Sequence, residues 1–278
     1  MSPVRRAAAT LAGCAAGALL AAAAAGCGQQ APAPGFVLRY ERPAAADGPS
    51  SRLLKAGKSA ESALADLNDY LALPHRVSVV ARSCSGEGTG YDPQRRRIEL
   101  CYEDLTEQRA LFEQAGDPRP DERLAEVVRE TLYHEAGHAL VDALDLRPGG
   151  DRAEEDAADR AEEDAADRFA QVVLLRGRSD GGPAPGPRGA GALPSGGEQV
   201  LLTAARAYDL AAAADPVPDP HDEHAPDAVR AESHRCAVLG AAPARHPDLA
   251  TPARAGCAAI WTRTRDTWTG DLSPLLRR

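Results

Sequence analysis

Aromatic side chains make up only 4% of this 278-residue chain, so its core has to be built from Ala, Leu and Val. Hydrophobic residues reach 44%, which suffices for one good-sized domain with tails. Basic residues are also short, and the net charge of −9 argues against nucleic acid and against a polybasic membrane patch. Beyond the N-terminal stretch, no segment approaches the roughly 18 apolar residues that a membrane span requires. CxxC spacing is absent, which argues against a four-cysteine zinc site.

What is present starts with a leader. Arg5 and Arg6 precede an uncharged Ala/Leu stretch that runs to small residues and Cys27, the pattern of a secretory signal over 1–26. Ala24-Ala25-Gly26-Cys27 resembles the lipobox of bacterial lipoproteins, which implies cleavage before Cys27 and lipidation of its thiol. Leu11-Ala12-Gly13-Cys14 matches the box letter by letter but leaves too short an apolar run; a plain cleaved signal or an uncleaved anchor are the alternatives. Losing residues 1–26 removes two Arg and no acid, taking the charge from −9 to −11. The later cysteines fall in two close pairs, Cys84 with Cys101 and Cys236 with Cys257, as two local disulfides in an oxidising compartment would.

Residues 27–50 are rich in Pro, Ala and Gly and read as a tether carrying one strand, "FVLRYE" at 36–41. The domain proper is expected over 51–278. Helical spacing spans Ser59 to Leu73, and "RVSVVAR" (76–82) and "RIELCYE" (97–103) alternate like half-buried strands. The expectation is a hairpin clipped by Cys84 and Cys101. A long helix is predicted from Asp121 to Leu146, stopped by "RPGG". Residues 178–197 are too rich in Gly and Pro to pack and read as a disordered insertion, and short helices follow around 198–214, 226–239 and 251–268.

Within the long helix stands His134-Glu135-Ala136-Gly137-His138, the HExxH pattern. Four residues make nearly one helical turn, so both imidazoles project from one face and can bind one ion, with Glu135 beside the open coordination position. The two histidines continue the stripe of Val127, Thr131 and Val141 rather than a wet face, and buried imidazoles need partners.

Two histidines call for a third ligand. "DRAEEDAADRAEEDAADR" at 151–168 repeats an octapeptide and offers it twice, as Glu163 with Asp167 or as Glu155 with Asp159. In each pair the Glu can bind metal while the Asp, four residues on, accepts a ligand imidazole's N–H. Packing favours the second copy. Its register buries Ala166, Phe169, Ala170, Val173 and Leu174, whereas a shift of eight loses every large side chain and buries Glu162. Eight residues turn a helix by about 80° and lengthen it by about 12 Å, so the copies are not equivalent. The first copy is then a looped or helical extension.

"FVLRYERP", "LNDYLALPHRVSVV", "IELCYE", "LYHEAGHALVDALDL", "EEDAADRFA", "DEH" and the late cysteines before a Trp resemble a family of bacterial secreted metallopeptidases of unknown function, over nearly the whole mature chain. HEAGH with EDAAD is also similar to the wider gluzincin pattern. The resemblance implies a zincin-like α+β fold: a small mixed sheet packed on an active-site helix, with a mainly helical C-terminal part. It also implies Zn²⁺ held by His134, His138 and a Glu, which in the family follows HExxH at about the distance of Glu155. Here spacing and packing disagree, and packing decides for Glu163, because a loop can absorb eight residues and a buried helix face cannot.

The expected chemistry is peptide-bond hydrolysis at the cell envelope. Glu135 serves as general base, Asp167 orients an imidazole, and His224 of "DEH" donates to the developing oxyanion. The partners expected are a peptide or protein substrate and the membrane, through the lipid anchor. The alternative is a lipid-anchored, non-catalytic binding module with structural zinc.

Overall fold

The computed structural model describes residues 34–146, 152–176, 196–217 and 222–277. The leader, Cys27, the "RPGG" stop and nearly all of the 178–197 insertion lie outside them. The elements run β1 (Gly35–Tyr40), α1 (Gly48–Gly57), α2 (Ser59–Tyr70), β2 (Arg76–Arg82), β3 (Gly90–Asp92), β4 (Arg97–Cys101) and α3 (Tyr102–Gln114). They continue with α4 (Pro120–Ala143), α5 (Arg152–Leu175), α6 (Gly197–Ala214), α7 (Asp227–Ala241) and α8 (Cys257–Asp271). The fold is α+β: a four-stranded mixed sheet is followed by a mainly helical C-terminal part.

Strand order is β1-β2-β4-β3, with β1, β2 and β4 parallel and β3 antiparallel to β4. The expected β2–β4 hairpin is therefore corrected: the two strands are parallel neighbours, and the hairpin joins β3 to β4. The reason is burial. Ile98 and Leu100 of β4 are almost fully buried and need strands on both sides, while the short Gly-Tyr-Asp of β3 suits the edge. Tyr102 and Glu103, read as strand, open α3 instead. Parallel pairing matches Arg82 with Cys101, so Cys84 and Cys101 meet at the same end of the sheet and form a disulfide, Cα to Cα 5.4 Å.

β1 lies at the opposite edge of the sheet, beside β2. Its backbone is occupied by Asn68 of α2, whose amide accepts from the Phe36 N–H and donates to the Phe36 carbonyl, both at 2.8 Å. Gly35 is required there: its φ is +111°, and a Cβ would sit 2.6 Å from Asn68 Oδ1. α1 begins within the last three residues of the expected tether and contributes Leu54 to the core.

α4 begins with Pro120 and two acids in its first turn, a favourable start for a helix. From Leu132 to Val141 every residue is buried, so both histidines lie away from solvent as expected. It is the central helix, packed by α2, α3, α5 and α6. All three Phe and both Trp are buried, and the rest of the core is mainly Leu, Ala and Val. A second disulfide, Cys236–Cys257, ties α7 to the start of α8. Two disulfides mark an oxidising, extracytoplasmic compartment, and among the described residues no helix is long and apolar enough to cross a membrane.

Candidate metal centre

α4 and α5 pack antiparallel. Gly137 permits the contact, since a Cβ on it would lie 2.7 Å from the Ala166 Cα. α5 is held in this register by its apolar stripe: Ala166, Phe169, Ala170, Val173 and Leu174 are all buried, and Phe169 rests on Trp268 of α8 at 5.1 Å between ring centroids. The close approach brings Glu163 opposite the two histidines. His134 Nε2 and His138 Nε2 stand 3.2 Å apart, and Glu163 Oε2 lies 3.1 Å from the first and 3.4 Å from the second. Three donors at about 2.1 Å from one tetrahedral ion stand about 3.4 Å from each other, so a single cation fits this triangle.

The outer nitrogens of both rings are committed. His134 Nδ1 donates to Asp167 Oδ1 at 2.8 Å, and His138 Nδ1 donates to Glu162 Oε1 at 2.9 Å. Each Nε2 is thereby left with its lone pair aimed inward. Glu163 Oε2 is buried among these nitrogens, yet no N–H is aligned to bond it. Two imidazole nitrogens and a buried carboxylate oxygen converging on one point are the donor set of a cation site.

The electrostatics agree. Burial pushes the His134 and His138 imidazoles down, but the carboxylates hydrogen-bonded to them outweigh it and hold them at about 10 and about 9. Burial pushes Glu163 up, and three imidazoles overcome this to bring its carboxyl far below the usual carboxylate range. The pocket therefore favours positive charge at its centre. Glu135 behaves differently. It is buried, its Oε2 has no hydrogen-bond partner, and burial raises its carboxyl above the ordinary value despite the nearby imidazoles.

His224, between α6 and α7, reaches the same point from outside. Its Nε2 is 2.9 Å from Glu163 Oε2, its ring stacks on His134 at 5.7 Å, and Asp222 Oδ1 bonds both its backbone N–H and its Nδ1. Glu155 lies two turns before Glu163 on α5, and its side chain, unlike that of Asp159, is outside the described residues. Among the described residues, His134, His138 and Glu163 alone form a cluster of three or more groups placed to hold a metal.

Sequence reasoning missed two partners. Glu162 was counted against the shifted register as a carboxylate that must not be buried, yet it is buried in the register adopted. His138 compensates it, and the doubled Glu of the repeat was the available signal. Arg230 of α7 bonds Asp167 through two nitrogens, and nothing within α7 alone foretells a partner 63 residues earlier.

A family model described as "Putative metallopeptidase" matches residues 40–272. No curated protein and no solved structure matches the chain. The match covers most of the sequence and includes β2 to β4, α4, α5 and α7, and the chain belongs to this family of putative metallopeptidases.

Proposed function

We propose that the protein is a zinc-dependent peptidase of the cell envelope, anchored by lipid at Cys27, with His134, His138 and Glu163 as metal ligands. The observation that carries the reading is the triangle of two imidazole nitrogens and one carboxylate oxygen, 3.1 to 3.4 Å on a side, with Glu135 buried at the adjacent helix position and its Oε2 without a hydrogen-bond partner. Bound Zn²⁺ supplies Lewis-acid chemistry, acidifying water and polarising the scissile carbonyl. Glu135 takes the proton of the attacking water as its oxygen bonds to the carbonyl carbon. The same carboxyl then delivers that proton to the amine as the C–N bond breaks. Burial raises its carboxyl above the ordinary value, which strengthens it as a base. Asp167 and Glu162 hold the imidazoles in the tautomer that leaves Nε2 free. His224 donates to the developing oxyanion from Nε2, with Asp222 steadying its ring.

The test is Glu135→Gln, assayed for metal content and for cleavage of an unstructured protein. Retained metal with cleavage reduced at least about 100-fold is expected. Full activity sinks the base assignment.

One observation favours a second reading, the non-catalytic binding module. His224 Nε2 reaches Glu163 Oε2 at 2.9 Å, and although it stands outside the three-donor cluster, a small movement of its loop would bring it in as a fourth ligand and close the site. His224→Ala separates them: a peptidase keeps its metal and loses turnover, whereas a closed structural site loses metal affinity.

A further inference from the structure

The metal centre is one level of a taller construction. α5 runs antiparallel to α4, and α7 runs parallel to α5. Along these three helices, residues spaced four apart form two rungs one turn apart. The upper rung is His134–Asp167–Arg230: His134 Nδ1 is 2.8 Å from Asp167 Oδ1, and Arg230 meets the same carboxylate with Nη2 on Oδ1 at 2.7 Å and Nε on Oδ2 at 3.0 Å. The lower rung is Glu130–His234–Gln171: His234 Nε2 is 3.0 Å from Glu130 Oε1 and its Nδ1 is 3.1 Å from Gln171 Nε2. All three members of the lower rung are buried, His234 completely. Tyr208 of α6 joins the rungs, its ring 4.4 Å below the Arg230 guanidinium and 5.6 Å from the His234 ring, edge to face.

We infer that Arg230 is a positioning residue of the metal centre, clamping both oxygens of Asp167 so that the carboxylate lies in line with His134 Nδ1 and fixes the direction of His134 Nε2. The inference rests on the metal-centre reading above and extends it to a third helix. Three observations point the same way. First, the contact is the planar two-point bond that a guanidinium makes and an ammonium cannot. Second, Asp167 Oδ1 is shared between Arg230 and His134, so rotation of the carboxylate breaks both contacts together. Third, the lower rung sets the register of α7 on α4 and α5, and with it the reach of Arg230. A helix-to-helix tie without a role at the metal would need only one of these rungs.

The test uses the full chain with Arg230→Met, Arg230→Lys, Asp167→Asn and the Arg230→Met/Asp167→Asn double variant. Zn²⁺ affinity is read by competition with a chelator, coordination by the visible spectrum after Co²⁺ substitution, and folding by the thermal midpoint of the metal-free protein. Arg230→Met is expected to weaken Zn²⁺ binding about 10- to 100-fold and alter the Co²⁺ spectrum, with Arg230→Lys in between. The double variant should be no weaker than Asp167→Asn by more than about twofold, because both changes remove one interaction. Where Arg230→Met fails to fold, Arg230→Lys decides. A purely structural Arg230 lowers the metal-free midpoint and leaves Zn²⁺ affinity and the Co²⁺ spectrum at wild-type values; that result, or multiplicative losses in the double variant, overturns the inference. Absence of Zn²⁺ binding in the wild-type chain overturns the metal-centre reading itself, and this inference with it.

Discussion

Gly137 and Ala166 stand closer than any residue with a side chain at 137 would allow, 2.7 Å from a Cβ at Gly137 to the Ala166 Cα. This contact sets the distance between the helix carrying His134 and His138 and the helix carrying Glu163. Gly137→Ala should therefore separate α4 from α5. Ala is the better helix former by about 1 kcal/mol, but overpacking against backbone costs about 1–3 kcal/mol. The expected result is a lower thermal midpoint of the metal-free protein together with weaker Zn²⁺ binding. A more stable variant with unchanged affinity would show that the helices have room.

Why some of this could be read from residues alone, and some not, follows from range. HExxH lies within one helical turn, and the apolar stripe after Glu163 lies within the next helix, so both could be read locally. The partner of His138 could not: the penalty for burying Glu162 is local, and its compensation comes from another helix. Arg230 and His234 look like an ordinary polar pair four apart until α7 is laid along α5. The parallel pairing of β2 with β4 was likewise hidden, because alternation reports which face is buried and not which strand lies alongside.

Glu162 should matter as much as Asp167. Its carboxylate is the group that holds His138 Nδ1, at 2.9 Å. Glu162→Ala is expected to weaken Zn²⁺ binding about 10- to 100-fold, measured by chelator competition. Unchanged affinity would mean that His138 needs no orienting partner.

Asp66 of α2 ties three helices together away from the centre. It accepts from Tyr133 Oη of α4 at 2.5 Å and pairs with Arg176, just past α5. Burial raises its carboxyl, but Arg176, Tyr133 and Arg129 outweigh this and bring it below its ordinary 3.8. A depressed carboxyl contributes stability above its unfolded-state pKa and loses it as pH falls through the folded-state value. Asp66→Asn should thus lower stability at neutral pH by about 1 kcal/mol, a modest figure because the side chain is 32% exposed. The gap between variant and wild type should close below about pH 4 in thermal unfolding curves. A gap that widens in acid would contradict the assignment.

The central claim is that the second octapeptide copy supplies the third ligand, and metal content of two single variants, Glu163→Ala and Glu155→Ala, tests it most directly. Purified with zinc present and then dialysed, Glu155→Ala should retain about one zinc per chain and Glu163→Ala should retain almost none. Zinc lost from Glu155→Ala and kept by Glu163→Ala would contradict the account.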